Sequence, residues 1–155
     1  MSGETTGEPA GGLGAGSSWR AWFARAAVGA VFVVNIWCAL AFILDPDAYV
    51  GGFELVGVPG RIAVQSFGIL FLMWNATYPP VVLRPALHKT LFGVVLAQQT
   101  IGLVGEVWLW LTLPAGHEAL SETGRRFIIF DAVGLVLMSI AYIMLHGAIR
   151  SSERE

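Results

Sequence analysis

The chain has 155 residues, 55% of them hydrophobic and 13% charged, with a net charge of −2 and a mean hydropathy of +0.68. An ordinary soluble domain carries about 25% charge, so composition argues against one, and the small net charge argues against nucleic acid or any strongly charged partner. The single cysteine, Cys38, excludes an internal disulfide and leaves the redox compartment open; a buried structural thiol is the simplest reading.

Met1 to Ser18 holds Gly, Ser, Thr, Glu and Ala with almost nothing apolar, and reads as a disordered cytoplasmic tail because it has too little surface to bury. It lacks the basic start and short apolar core of a cleaved signal peptide. Residues 19–149 then read as a four-helix transmembrane domain. Trp19-Arg20-Ala21-Trp22 is an interfacial anchor, with indoles suited to the headgroup layer and Arg20 and Arg25 able to snorkel toward it.

Four apolar blocks follow, each near the ~20 residues that cross a hydrocarbon core. The first covers about 26–44 and stops at Asp45-Pro46-Asp47, where proline ends the helix and the acids mark water. The loop Ala48 to Gly60 carries Tyr49, Phe53 and Leu55 and is expected to fold back onto the membrane surface. The second block, about 62–78, ends at Pro79-Pro80. Val81 to Pro85 is a short, stiff connection that favours an antiparallel hairpin. The third covers about 90–113 and stops at Pro114-Ala115-Gly116. A polar loop with Glu118 and Glu122 leads to Arg125-Arg126 and the fourth block, about 127–146. Residues 150–155 form a second short cytoplasmic tail. The expected fold is an all-α, integral membrane, antiparallel four-helix transmembrane bundle.

Arg20, Arg25, Arg84, Lys89, Arg150 and Arg154 fall on one side of these spans, and Arg61, Arg125 and Arg126 on the other. The positive-inside rule therefore puts both termini in the cytoplasm of a cell whose inner, or plasma, membrane holds the protein. No internal repeat is visible.

The informative residues are Glu106 in the third block and Asp131 in the fourth. A charged side chain at a bilayer centre costs about 2.5–3.5 kcal/mol on insertion scales, and crossing a membrane does not require one. At about 100° per residue, Gln98, Gln99, Gly102, Gly105 and Glu106 share one stripe about 120° wide. The glycines are expected to admit a neighbouring helix beside the amides and the acid. Asp131, Leu135, Met138, Ser139, Tyr142 and His146 fall within about 100° on the fourth span, and Arg61, Gln65, Gly68 and Asn75 within about 80° on the second. Asn35 is the contribution of the first. Glu106, Asp131, Gln98, Gln99, Gln65, Asn75 and Asn35 are thus the candidate ligand-binding set, with Glu106 and Asp131 the candidate catalytic pair. The competing reading is structural: amides act as interhelical glue worth about 0.6 kcal/mol each, and Glu106 or Asp131 pairs with Arg61, Arg125 or Arg126. Asp131 is close in sequence to two arginines, and Glu106 to none.

Other motifs carry little. Asn75-Ala76-Thr77 matches a glycosylation sequon inside a span, where no transferase acts. His88, His117 and His146 lie on separate segments, so neither a metal nor a haem is expected, and no cofactor is called for. Gly51, Gly52 and Gly57 make no phosphate loop, and no serine has a nucleophile elbow.

Arg25-Ala-Ala-Val-Gly29-Ala-Val-Phe32 entering a span, then Asp45-Pro46-Asp47-Ala48-Tyr49 and a loop closing with Gly57-Val-Pro59, resembles the start of DoxX-like proteins, small four-helix bacterial membrane proteins. The match covers about the first 60 residues. The second span departs from the pattern: Gln65, Ser66 and Gly68 stand where an acid and a Gly-rich stretch are expected, and nothing in the segments around Gln98–Glu106 and Arg126–Asp131 corresponds. The resemblance implies an accessory membrane subunit of a quinone- or thiol-linked redox system.

Three functions remain open from the sequence. One is an accessory or lipophilic-ligand-binding subunit with a polar interior site. Another is a membrane-embedded acid/base enzyme, an isomerase or epoxide-opening enzyme acting on a hydrophobic small molecule through Glu106 and Asp131. The last is a small proton-coupled transporter, against which the absence of an inverted repeat counts. The expected partners are the lipid bilayer, a small hydrophobic ligand, and a second copy of the chain or another membrane subunit; nucleic acid is not among them.

Overall fold

The computed structural model describes residues 15–152. The stretches 1–14 and 153–155, which hold most of the expected N-terminal tail and the end of the C-terminal one, lie outside the described residues, as does the side chain of His146. The elements are α1 (Ala15–Leu44), α2 (Asp47–Val50) running into a 3-10 turn (Gly51–Phe53), α3 (Gly57–Asn75), α4 (Tyr78–Leu83), α5 (Lys89–Thr112) and α6 (Glu118–Ser152). Among the described residues there is no strand. Four helices, over Trp19–Leu44, Gly57–Asn75, Lys89–Thr112 and Glu118–Leu145, are long and apolar enough to cross a membrane. Their outward faces carry large exposed apolar side chains such as Trp37, Ile62, Ile101 and Ile143, the inverse of a soluble surface.

Prolines set the breaks. Pro46 forbids continuation of α1 beyond Leu44, since the residue before a proline is pushed out of the helical region. The second span is shifted toward the N-terminus: α3 begins at Gly57 and ends at Asn75, not Tyr78. The chain then restarts, because Pro79 and Pro80 sit in the first turn of α4, where their missing N–H groups need no partner. The connection expected to be a stiff extended link over 81–85 is therefore partly helix. Its Tyr78 and Val81 are fully buried against α1, and Val82 rests on Gly29, where an added Cβ would lie 3.7 Å from Val82 Cγ1.

Helix α1 is the hub, packing against α3, α6 and α4, while α5 packs on α6 and on α4. The two halves of the bundle differ. At the α4 end, Ala24, Ala27, Val28 and Val31 meet Tyr78, Val81, Phe92, Val95, Met138, Ala141 and Leu145 in a continuous core. No residue of α3 belongs to that buried cluster, and α3 is not among the close backbone neighbours of α5. The far half is filled instead by rings and cavities.

Glycine sets the closest approaches, and of the two α5 stripe glycines only Gly102 makes one, against Trp74 and Asp131. Gly105 has nothing within 4 Å of an added Cβ. Gly68 of α3 is the tight crossing: a Cβ there would lie 2.6 Å from the Ala39 carbonyl oxygen and 2.7 Å from Ile43 Cγ1. Gly134 of α6 passes Val31 of α1 similarly closely, at 3.0 Å from Cγ2.

The segment after α1 folds onto the end of the bundle. Phe42 contacts Tyr49 and Phe53 with ring centroids 4.9 and 5.7 Å apart. The Thr123 hydroxyl donates to the Gly52 carbonyl at 2.8 Å. Glu54, left-handed at φ 54°, aims its carboxylate at the start of α6: Oε1 accepts from the Leu120 N–H at 3.2 Å and Oε2 meets His117 Nδ1. This carboxylate caps α6 from outside the helix, satisfying a first-turn donor beside the positive end of the helix dipole. The His117 contact, then the Leu120 N–H, hold its carboxyl below the ordinary carboxylate range.

Two outcomes follow for stability. Gly68→Ala should lower the melting temperature in detergent, by about 1–3 kcal/mol of overpacking, because backbone and not a mobile side-chain tip blocks the new methyl. Gly93→Ala, where an added Cβ meets nothing within 4 Å, should be neutral or slightly stabilising. A depressed carboxyl contributes stability that is present above its ordinary value and lost as pH falls through the lowered one. The melting-temperature gap between wild type and Glu54→Gln should therefore be open at neutral pH and close on acidification below about pH 4. A gap independent of pH would contradict the clamp.

Candidate functional site

Below the α4-end core the four long helices enclose a cavity of about 310 Å³, near the lower limit for small-molecule sites at about 300 Å³. Each helix brings a polar group to it: Asn35 from α1, Asn75 from α3, Gln99 and Glu106 from α5, Asp131 from α6. These are five of the seven candidate ligand-binding residues. The other two go elsewhere. Gln65 Nε2 donates to the Ile43 carbonyl at 3.1 Å, satisfying an orphan acceptor at the end of α1. Gln98 Oε1 accepts from the Thr77 hydroxyl at 2.9 Å, fastening the α3–α4 turn to α5.

The three amides of the cavity are buried or half-buried, and each bridges to a neighbouring group. Asn75 Nδ2 donates to the Phe71 carbonyl at 2.8 Å, and its Oδ1 accepts from Asn35 Nδ2 at 3.3 Å. Gln99 Oε1 accepts from the Tyr78 hydroxyl at 3.1 Å, and its Nε2 donates to the Asp131 carbonyl oxygen at 3.4 Å. Asn75 and Gln99, both 2% exposed, do the structural work that the interhelical-glue reading assigns to amides.

The acids differ. Glu106 Oε2 is buried with no hydrogen-bond partner. The arginines weighed as ion-pair partners are engaged with other acids: Arg61 Nε lies 3.3 Å from Asp47, and Arg125 and Arg126 both bind Glu122, at 2.8 and 3.0 Å. The expectation that an arginine neutralises Asp131 is corrected. Glu122, one turn or less away on the same helix, is the nearer and better hydrated partner for both cations. Arg126 lines the cavity edge while its guanidinium Nε is held by Glu122.

Gly102 makes the junction between acid and aromatic wall. A Cβ there would stand 3.3 Å from Trp74 Cη2 and 3.4 Å from Asp131 Oδ2, so its absence lets the indole of α3 reach across to α5 beside the carboxyl. Phe71, Phe127 and Phe130 complete the wall. Glu106 also lines a second, apolar cavity of about 410 Å³ between α3 and α5, walled by Phe42, Phe53, Phe67, Phe71 and Phe127. These rings contact each other, for example Phe42 with Phe71 at 6.0 Å and Phe53 with Phe127 at 6.4 Å between centroids.

Sequence reasoning missed this aromatic half and treated the rings as ordinary for spans and interfaces. The available signal was the spacing of Phe67 and Phe71, and of Phe127 and Phe130, which repeats on one helix face. Among the described residues no three His, Cys, Asp or Glu side chains cluster in a metal-holding arrangement. The arrangement as built can grip the polar head of an amphiphile at two acids while rings take its apolar body, or pass a proton at that head. Comparisons with protein-family models, with curated proteins and with solved structures find no match to this chain.

Proposed function

We propose that the chain is a multipass membrane protein, an antiparallel four-helix bundle with both termini in the cytoplasm, whose interior site binds a lipophilic small molecule. The carrying observation is that two adjoining cavities, one lined with polar groups and the other aromatic, share Glu106, Phe71 and Phe127 in their walls. The aromatic cavity lies where α3 and α5 stand apart, and in a bilayer that side is an entrance for a ligand already dissolved in lipid. The apolar outer faces and the bias of six Lys and Arg against three support the membrane setting and the orientation. The resemblance to DoxX-like proteins in the first ~60 residues supports an accessory subunit of a redox system as the wider role. Cys38 lines the cavity, but as the single thiol of the chain it has no internal partner for dithiol chemistry.

A membrane-embedded acid/base enzyme is the second reading. It is favoured by one observation: Glu106 and Asp131 face the same cavity, and neither is among the acids held by arginine. A pair of carboxyls at one ligand head is what isomerisation or epoxide opening needs.

The binding reading predicts saturable uptake of an aromatic amphiphile by the purified protein in nanodiscs, above the partition into empty discs. Leu70→Trp, which fills the aromatic cavity, should weaken it by about tenfold or more. Recovery of the ligand unchanged supports a binding subunit, and its conversion in wild type but not Glu106→Gln supports the enzyme. Binding that Leu70→Trp leaves untouched would place the ligand elsewhere. For orientation, a cysteine at Ala86→Cys in a Cys38→Ala background should resist an impermeant thiol reagent in intact cells, and one at Ala115→Cys should react. The opposite pattern would invert the topology.

A further inference from the structure

The two acids and the aromatic walls of the polar cavity narrow the ligand, given the binding site proposed above. Each amide nitrogen that reaches the cavity donates one hydrogen bond, Asn35 Nδ2 to Asn75, Asn75 Nδ2 to Phe71 and Gln99 Nε2 to the Asp131 carbonyl, and keeps a second hydrogen. The Tyr78 hydroxyl is spent on Gln99. The carboxyls of Glu106 and Asp131 face the same cavity, with Glu106 Oε2 buried and without a hydrogen-bond partner. A carboxylate or phosphate head would set a like charge beside the two carboxyls. An alcohol offers one donor to two acids, whereas an alkylammonium offers three with a charge.

Charge and shape agree. A buried carboxylate is stabilised by a compensating cation; Arg61 is paired with Asp47 and Arg125 with Glu122, while Arg126 lines the cavity with its Nε held by Glu122. The walls are rings, with Trp74 packed over Gly102 next to the Asp131 carboxyl and Phe71, Phe127 and Phe130 beside it. Aromatic faces attract an organic cation, Trp most strongly. A bare metal cation fits poorly, because hard divalent ions take about 6–8 oxygen ligands and this wall is mostly carbon. The volume of about 310 Å³ suits an arylalkyl body, with the adjoining apolar cavity for anything longer.

We propose that the cavity between α1, α3, α5 and α6 binds the ammonium head of a lipophilic amine, with Glu106 and Asp131 as its paired acceptors and Trp74, Phe71, Phe127 and Phe130 as its cation-attracting wall.

The test compares probes that share one body and differ in head: phenylbutylamine, phenylbutanol and phenylbutyric acid. Saturable binding of each to the full chain in neutral-lipid nanodiscs is measured at about pH 7, where an alkylamine with a pKa near that of lysine, about 10, is protonated. Partition into empty discs is subtracted. The amine should bind at least about tenfold more tightly than the alcohol, since two desolvated charge-assisted contacts are at stake, and the acid should bind least. Glu106→Gln and Asp131→Asn should each erase most of the amine preference and spare the alcohol, while Glu118→Gln, an exposed acid outside the cavity, should change neither. Equal or tighter binding of the alcohol or the acid by wild type overturns the amine assignment and leaves the binding site standing. No saturable binding of any probe removes the site reading and this inference together. The wild-type comparison of heads decides the matter even where a variant fails to fold.

Discussion

The hydrogen bond from the Tyr78 hydroxyl to Gln99 Oε1, buried and 3.1 Å long, joins α4 to α5, and Gln99 Nε2 extends the link to the Asp131 carbonyl on α6. In an apolar interior such a chain is worth more than its bonds taken singly, because each group left without its partner would bear the full desolvation cost. It also fixes heights along the bundle. With Gln99 anchored to both neighbours, Glu106, two helical turns further along α5, arrives beside Asp131. The locked amide and the two acids line the same cavity.

That lock is possible because α3 stops early. Asn75 turns its amide back onto the Phe71 carbonyl and accepts from Asn35, so the helix end is satisfied where it breaks. The prolines then restart the chain as α4, which fills the α4-end core that α3 leaves unfilled. α3 is left packed on α1 through the Gly68 crossing and separated from α5, with Trp74 and the Thr77–Gln98 bond reaching across. A bundle with four equal seams would have a filled centre. This one has a tight half that carries stability and a loose half that carries space.

The loose half is closed at its end by the segment after α1. Phe53 is both part of that closure and part of the aromatic cavity wall, and Leu120 and Thr123 of α6 play the same double part. The Glu54 clamp therefore fixes the cavity's end wall as well as the helix start. The polar groups with structural duties are satisfied, whereas the acid facing the cavity keeps a bare oxygen. Unsatisfied buried groups are costly, and this one borders a cavity of about 310 Å³.

Much of this was legible in the chain. Four apolar blocks, their proline stops, and the two acids among them follow from hydropathy and local backbone chemistry, which act within one helix turn. The faces that carry Asn75, Gln99 and Glu106 follow from helical periodicity. The fate of each polar group did not, because a side chain's partner is set by the neighbouring helix. Gln65 and Gln98 have the same composition signal as Gln99, yet they fasten a helix end and a turn, while Gln99 borders the cavity. Arg125 and Arg126 looked like partners for Asp131 and instead chose Glu122, since a contact one turn away on an exposed face costs no desolvation. Gly105 and Gly68 are indistinguishable in sequence, but only Gly68 lies under another backbone. By itself the sequence determined which segments are helical and apolar and which residues pay a cost to be there. Packing alone decided which of those costs are repaid by neighbours and which are left facing an open cavity, because repayment depends on distances between helices that no local rule encodes.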